Sequence, residues 1–265
     1  MLPQAYLEGP PNVNYITYGN GPHRAVFLHG WFGDAHCFKP MLQGIDPDRF
    51  SFAFLDFRGY GSAKDSAGPF NLATVAADAI AVGDSLGWSQ FSIVGHSMGG
   101  KAALRTATLA ANRIQRICAI TPVWAGKAPL DADTLGFFRS AAEQLDARQA
   151  IVHTSTGGRL PSYWSKSVAT LSTKTSTARA FADYLESWAL DDFDQEAAKL
   201  TNETLVVAGG LDGGVPEQFI RDTWLKRLSH VRMALLPESG HYPMDECPLI
   251  LAATVSAFLD PSHGT

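Results

Sequence analysis

The chain has 265 residues, of which 46% are hydrophobic and 18% charged, and carries a net charge of −5 at neutral pH. A chain of that length forms one large α/β domain, or a domain with an insertion, and buries roughly three quarters of its unfolded surface. The composition excludes general disorder, and a mildly acidic balance with no basic run gives no footing for nucleic acid or an anionic membrane.

The N-terminal stretch has no basic segment leading into an apolar one, so no signal peptide is expected, and no apolar run reaches the ~18 residues of a membrane span. Apolar, β-branched runs predict strands over 13–18, 25–28, 50–57, 91–94, 116–120, 204–208 and 231–236. Helical patterns between them predict helices over 36–44, 72–86, 98–111, 216–228 and 246–259. This alternation predicts an α/β fold: a mostly parallel central sheet with helices on both faces. The first two strands, joined through Gly19-Asn20-Gly21-Pro22, read as a hairpin. Segment 123–202 breaks the rhythm, because it holds no convincing strand and is too long for a structureless loop. It is expected as an inserted helical cap, with pieces over 131–149, 162–169 and 176–190, on a core formed by 1–122 and 203–265.

Gly95-His96-Ser97-Met98-Gly99 follows an apolar strand and opens a helix. Strand, sharp turn and helix would hold Ser97 at the apex in a strained backbone, with its hydroxyl above the sheet. Glycines at 95 and 99 are needed there because a Cβ would collide with the neighbouring strand and helix. The chain carries its own control in Gly83-Asp84-Ser85-Leu86-Gly87, which matches the same pattern. That copy joins a helix to a strand, so Ser85 belongs at the opposite sheet edge and reads as a helix end.

A serine hydroxyl needs a base to take its proton, and the base needs an acid to orient it. Asp212 lies in a glycine-rich turn after the strand over 204–208, and His241 in a loop after the strand over 231–236. Both belong at the sheet edge that carries Ser97. Asp212 has a rival reading as the cap of the helix starting near Pro216. Asp191, Asp192 and Asp194 read as solvated surface, and His153 as surface or substrate-binding. His29 and His96 flank glycines at the site and read as loop supports, while Asp56 and Arg58 are expected to brace the turn that follows them. For the oxyanion hole, the N–H of Met98 is one donor and that of Trp31 the other, with Phe32 the second choice because the loop register is open.

These motifs resemble the α/β-hydrolase fold, and within it the esterase, lactonase and C–C-hydrolase group. The resemblance rests on His29-Gly-Trp-Phe-Gly33, Asp56-Phe-Arg-Gly-Tyr-Gly-Ser62, Gly95-His-Ser-Met-Gly-Gly100, Gly210-Leu-Asp-Gly-Gly-Val-Pro216 and Ser239-Gly-His-Tyr-Pro243. It implies ester or lactone hydrolysis on a small-to-medium hydrophobic substrate, with water as the second reactant. C–C bond hydrolysis, cofactor-free perhydrolysis, or a small-molecule receptor that keeps the triad are the alternatives. No dinucleotide or phosphate-loop fingerprint appears and the histidines lack ligand spacing, so neither cofactor nor metal is expected. Phe32, Trp124 and Trp164 are candidate substrate contacts, although most aromatics of the insertion are expected to serve only packing. Cys37, Cys118 and Cys247, odd in number and widely spaced, read as free thiols of a reducing, cytoplasmic setting.

Overall fold

In the computed structural model, residues 5–8 and 13–260 are described. Eight strands run in chain order: β1 (Ala5–Glu8), β2 (Asn14–Tyr18), β3 (His23–Leu28), β4 (Phe50–Asp56), β5 (Phe91–His96), β6 (Ile114–Ile120), β7 (Glu203–Gly209) and β8 (Val231–Leu236). They form one sheet in the order β1-β2-β4-β3-β5-β6-β7-β8. From β4 across to β8 every pairing is parallel, and β2 and β1 add an antiparallel edge. All six residues of β5 are buried, Ser92 and His96 included, so its sequence shows no alternation of apolar and solvated positions.

The expected hairpin over the first two strands does not form. β2 pairs with β4, and β4 lies between β2 and β3. The short connector crosses over the start of β4: Asn20 N–H donates to Pro47 O (2.9 Å), Gly21 N–H to Phe50 O (3.2 Å) and His23 N–H to Arg49 O (3.1 Å). Gly19, at φ +72°, lies so close that a Cβ would overlap the Phe50 carbonyl. A close backbone crossing, not a hairpin turn, therefore accounts for the glycines. The true hairpin partner of β2 is β1, a strand that the apolar pattern did not mark.

Helices α1 (Leu72–Ser85) and α2 (Met98–Leu109) flank β5 in sequence, and α8 (Glu217–Asp222), α9 (Trp224–Arg227), α10 (Pro243–Glu246) and α11 (Pro248–Leu259) follow β7 and β8. Two 3₁₀ segments, Ala35–Gly44 and Gly61–Ala63, complete the core. Asn71 caps α1 through Thr74 N–H at 2.9 Å, one of the orphan donors that a helix start leaves. Ser85 sits at the other end of α1, where its hydroxyl donates to Val82 O (2.9 Å). Its role is that of a helix end, as read from the sequence.

Between β6 and β7 the chain forms five helices: α3 (Ala132–Ser140), α4 (Leu145–Ser155), α5 (Ser162–Thr175), α6 (Ala178–Leu190) and α7 (Asp194–Ala197). The piece expected as continuous over 131–149 is broken after Ser140. There the buried Arg148 guanidinium takes up free carbonyls, donating to Ala141 O (2.7 Å) and Ala142 O (3.2 Å). It also stacks over the Phe181 ring at 3.6 Å. A second buried cation ties this insertion to the core. Lys101 of α2 donates to Gly126 O (2.8 Å), Trp188 O (2.9 Å) and Asp191 O (2.7 Å), so each ammonium proton has a carbonyl. Burial pushes its pKa down to about 8, which leaves it charged at neutral pH. Among the described residues no helix is long and apolar enough to cross a membrane.

Candidate active site

Ser97 occupies the turn between β5 and α2 with φ 54° and ψ −115°, a left-handed conformation that a serine adopts only under constraint. The constraint comes from both sides: Ser97 N–H donates to Ile120 O (2.9 Å), and Gly100 N–H to Ser97 O (2.9 Å). A Cβ on Gly95 would overlap the Gly99 carbonyl, and one on Gly99 would overlap that of Leu28. The strand and helix can therefore approach closely enough to lift the serine above the sheet edge.

Three loops bring the chemistry together. His241 Nε2 lies 2.9 Å from Ser97 Oγ, and His241 Nδ1 lies 2.8 Å from Asp212 Oδ2. A carboxylate can only accept, so Nδ1 carries the proton and the Nε2 lone pair faces the serine hydroxyl. The rival reading of Asp212 as a helix cap fails, because no side chain caps the start of α8. The other oxygen of Asp212 accepts from Gly214 N–H (2.7 Å) and Val215 N–H (2.8 Å), which shapes the turn before α8. Asp212 and His241 are buried while Ser97 is partly open.

His96, expected as a loop support, and Thr121 and Glu246, which sequence reasoning missed, hold the histidine in place. Its backbone carbonyl accepts from His96 Nε2 (2.8 Å) and Thr121 Oγ1 (3.0 Å). Burial first, then the nearby His241, pulls the His96 pKa down to about 3, so its imidazole stays neutral. Thr121 itself has φ +41°, a second strained residue at the same sheet edge. The two amides flanking His241 are held by one carboxylate: Gly240 N–H donates to Glu246 Oε2 (2.7 Å) and Tyr242 N–H to Glu246 Oε1 (2.9 Å). Arg159, from the insertion, pairs with that same buried carboxylate. Glu246 stands five residues after the histidine, at the end of the short α10. That spacing was the available signal, but the expected helix over 246–259 hid it.

His29 supports the opposite loop, as expected. Its Nδ1 donates to Gly30 O (2.8 Å), its Nε2 accepts from Phe57 N–H (3.2 Å), and its ring stacks on Phe57. Asp56 braces two turns at once, accepting from Ala35 N–H (2.8 Å) and Ser62 N–H (2.9 Å). Arg58 points elsewhere, forming a two-pronged pair with Asp78 of α1 at 2.8 Å for each contact. Asp194 is not merely solvated surface, because it accepts from Trp124 Nε1 at 2.6 Å.

Ser97 and His241 open onto a cavity of about 260 Å³. Trp31, Phe32 and Met98 line it, joined by Trp124, Phe138 and Trp188 from the insertion. Trp31 is fixed by an indole bond to Phe181 O (2.8 Å) and by stacking on the Phe181 ring at 4.2 Å. Met98 opens α2 directly after the serine. Trp164 lies outside this lining. It packs edge-on against Tyr242 at 5.2 Å and so stands behind the wall. Among the described residues no group of three or more His, Cys, Asp or Glu side chains is placed to hold a metal ion.

Comparison with known proteins adds to this geometry. The profile of a family described as "alpha/beta hydrolase fold" matches residues 26–248. A dihydrolipoyllysine-residue acetyltransferase component of an acetoin cleaving system from Cupriavidus necator is 32% identical over 127 residues, which are 47% of this chain and 33% of that protein. This chain thus spans only about a third of that relative's length. A pimeloyl-(acyl-carrier protein) methyl ester esterase from Nitrosomonas europaea is 24% identical over 250 residues, covering 89% of this chain and 95% of that protein. The crystal structure of a bromoperoxidase from Bacillus anthracis superposes with a TM-score of 0.86 at 18% identity, over 97% of this chain and 99% of that one.

Proposed function

Because the chain belongs to the α/β-hydrolase fold family, we propose that it is a serine hydrolase cleaving hydrophobic carboxylic esters or lactones through an acyl-enzyme. The observation that carries this reading is the unbroken line of hydrogen bonds from Asp212 through His241 to the strained Ser97. A relative of matching length named for methyl ester hydrolysis adds support. The insertion acts as a cap over the cavity, to which it contributes Phe138 and Trp188.

Ser97 Oγ bonds to the substrate carbonyl carbon as His241 Nε2 takes the hydroxyl proton. The carbonyl π pair moves onto oxygen, and Asp212 stabilises the imidazolium that forms. The N–H groups of Met98 and Trp31, with Phe32 as the alternative to Trp31, receive the oxyanion. The pair then returns to carbon, the bond to the leaving oxygen breaks, and His241 gives that oxygen its proton. In an ester the leaving alcohol departs; in a lactone it stays tethered to the acyl group. Water, deprotonated by His241, attacks the acyl-enzyme in the same way, and Ser97 Oγ leaves with the proton.

Turnover of p-nitrophenyl esters and of a lactone panel by wild type and Ser97→Ala tests the assignment. Ser97→Ala is expected to lose at least ~10³-fold in kcat while keeping its fold, because the nucleophile and its base act as a unit. Activity retained above that level sinks it.

A further inference from the structure

The cavity at Ser97 is small, about 260 Å³, which is below the roughly 300–1,000 Å³ of ordinary ligand pockets. A second and larger recess of about 770 Å³ adjoins it. Phe32 and Tyr242 line both spaces, so these two rings form a shared partition. Beyond them the recess runs between the 3₁₀ segment Ala35–Gly44, which supplies Pro40 and Leu42, and helix α5, which supplies Val168 and Leu171. Its walls are largely apolar, although Asp34, His36, Lys39, Gln43, Thr175 and Asp245 also line it. Leu171 is 55% exposed, a large apolar side chain that the fold itself leaves uncovered.

An uncovered apolar trough that shares two wall residues with the catalytic cavity is built for the continuation of whatever reacts there. We infer that this recess receives a long aliphatic chain of the ester substrate, whose carbonyl sits at Ser97 while the chain passes between Phe32 and Tyr242. The inference rests on the hydrolase reading and narrows its substrate class to esters with an extended alkyl tail. The small cavity then holds the reacting end and the shorter substituent. Acyl and alcohol tails share this chemistry, and the two sources are separated by experiment.

Leu171→Trp and Val168→Trp each fill the recess from helix α5. Two series are compared with wild type: p-nitrophenyl acetate to decanoate for acyl tails, and ethyl to decyl acetate for alcohol tails. In the series that uses the recess, the long-to-short ratio of kcat/KM is expected to fall at least about tenfold, the weight of a methylene or so in an apolar pocket. An unchanged ratio in both series, or an equal loss at every chain length, overturns the inference. Calorimetric titration of decanoate into Ser97→Ala and into Ser97→Ala with Leu171→Trp gives a reading independent of turnover. Weaker binding to the double variant supports the recess, and equal binding overturns it. A wild type that hydrolyses neither series, yet binds decanoate in a Leu171-dependent way, sinks the hydrolase reading and leaves the recess standing.

Discussion

Asp212 divides its two oxygens between structure and chemistry, and a single substitution separates those duties. In Asp212→Asn the amide oxygen can stay with the Gly214 and Val215 N–H groups, so the turn before α8 survives. The amide nitrogen then faces His241 Nδ1 as a donor and forces the proton onto Nε2, where it opposes removal of the serine proton. We expect kcat to fall roughly 10²–10⁴-fold with little change in melting temperature. A variant that loses stability while keeping its rate would show that the aspartate only shapes the turn. Ser97, Asp212 and His241 were all legible in the sequence because each sits in a short glycine-containing turn after a strand. Thr121 was not legible as a support of His241, and His96 was legible as a loop support but not as a partner of that residue. They act on a backbone carbonyl 120 and 145 residues away, and side-chain pattern carries no trace of such bonds.

At the scale of elements, most strands and helices follow the apolar rhythm, but that rhythm misses β1, runs α8 into α9 and starts a helix at 246 inside α10. It also reads the connector at Gly19 as a hairpin. A hairpin and a crossing over β4 demand the same small residues. The break between α3 and α4 was equally hidden, since it depends on where the Arg148 guanidinium finds carbonyls. Helix α10 matters beyond its four residues because it delivers Glu246 to both amides around His241. Glu246→Ala frees those amides and leaves Arg159 unpaired at the loop that carries the base. A shift of about 1 Å in a catalytic group can cost ~10²-fold, so kcat should fall by up to that factor while KM holds. Steady-state kinetics on a short ester check this, and a change confined to KM would count against a role in placing the histidine.

For the whole molecule, the buried histidines predict how stability responds to acid. His96 has its pKa lowered from 6.5 to about 3, and His29 is shifted the same way, chiefly by burial. Between those values the unfolded chain binds a proton that folded His96 refuses, so stability rises with pH across that window. The contribution is complete above about 6.5 and is lost progressively as pH falls toward about 3. His96→Gln removes that proton uptake, so its urea midpoint should fall less steeply than that of wild type between neutral pH and the acid limb. Parallel curves for the two proteins would refute the assignment.

The constellation draws on residues 97, 212 and 241, and the last of these follows β8, the final strand of the sheet. A growing chain that has emerged only through β6 therefore carries the strained serine with neither base nor acid beside it. Its hydroxyl is then no more reactive than that of any other serine, whatever acyl compounds surround the ribosome. On the proposed mechanism, reactivity arrives only once β8 has added to the sheet and Glu246 has drawn the following turn into place. If the hydrolase proposal holds, ester turnover during refolding reports completion of the β8 edge, whereas helical signal alone would register chains that are still chemically silent.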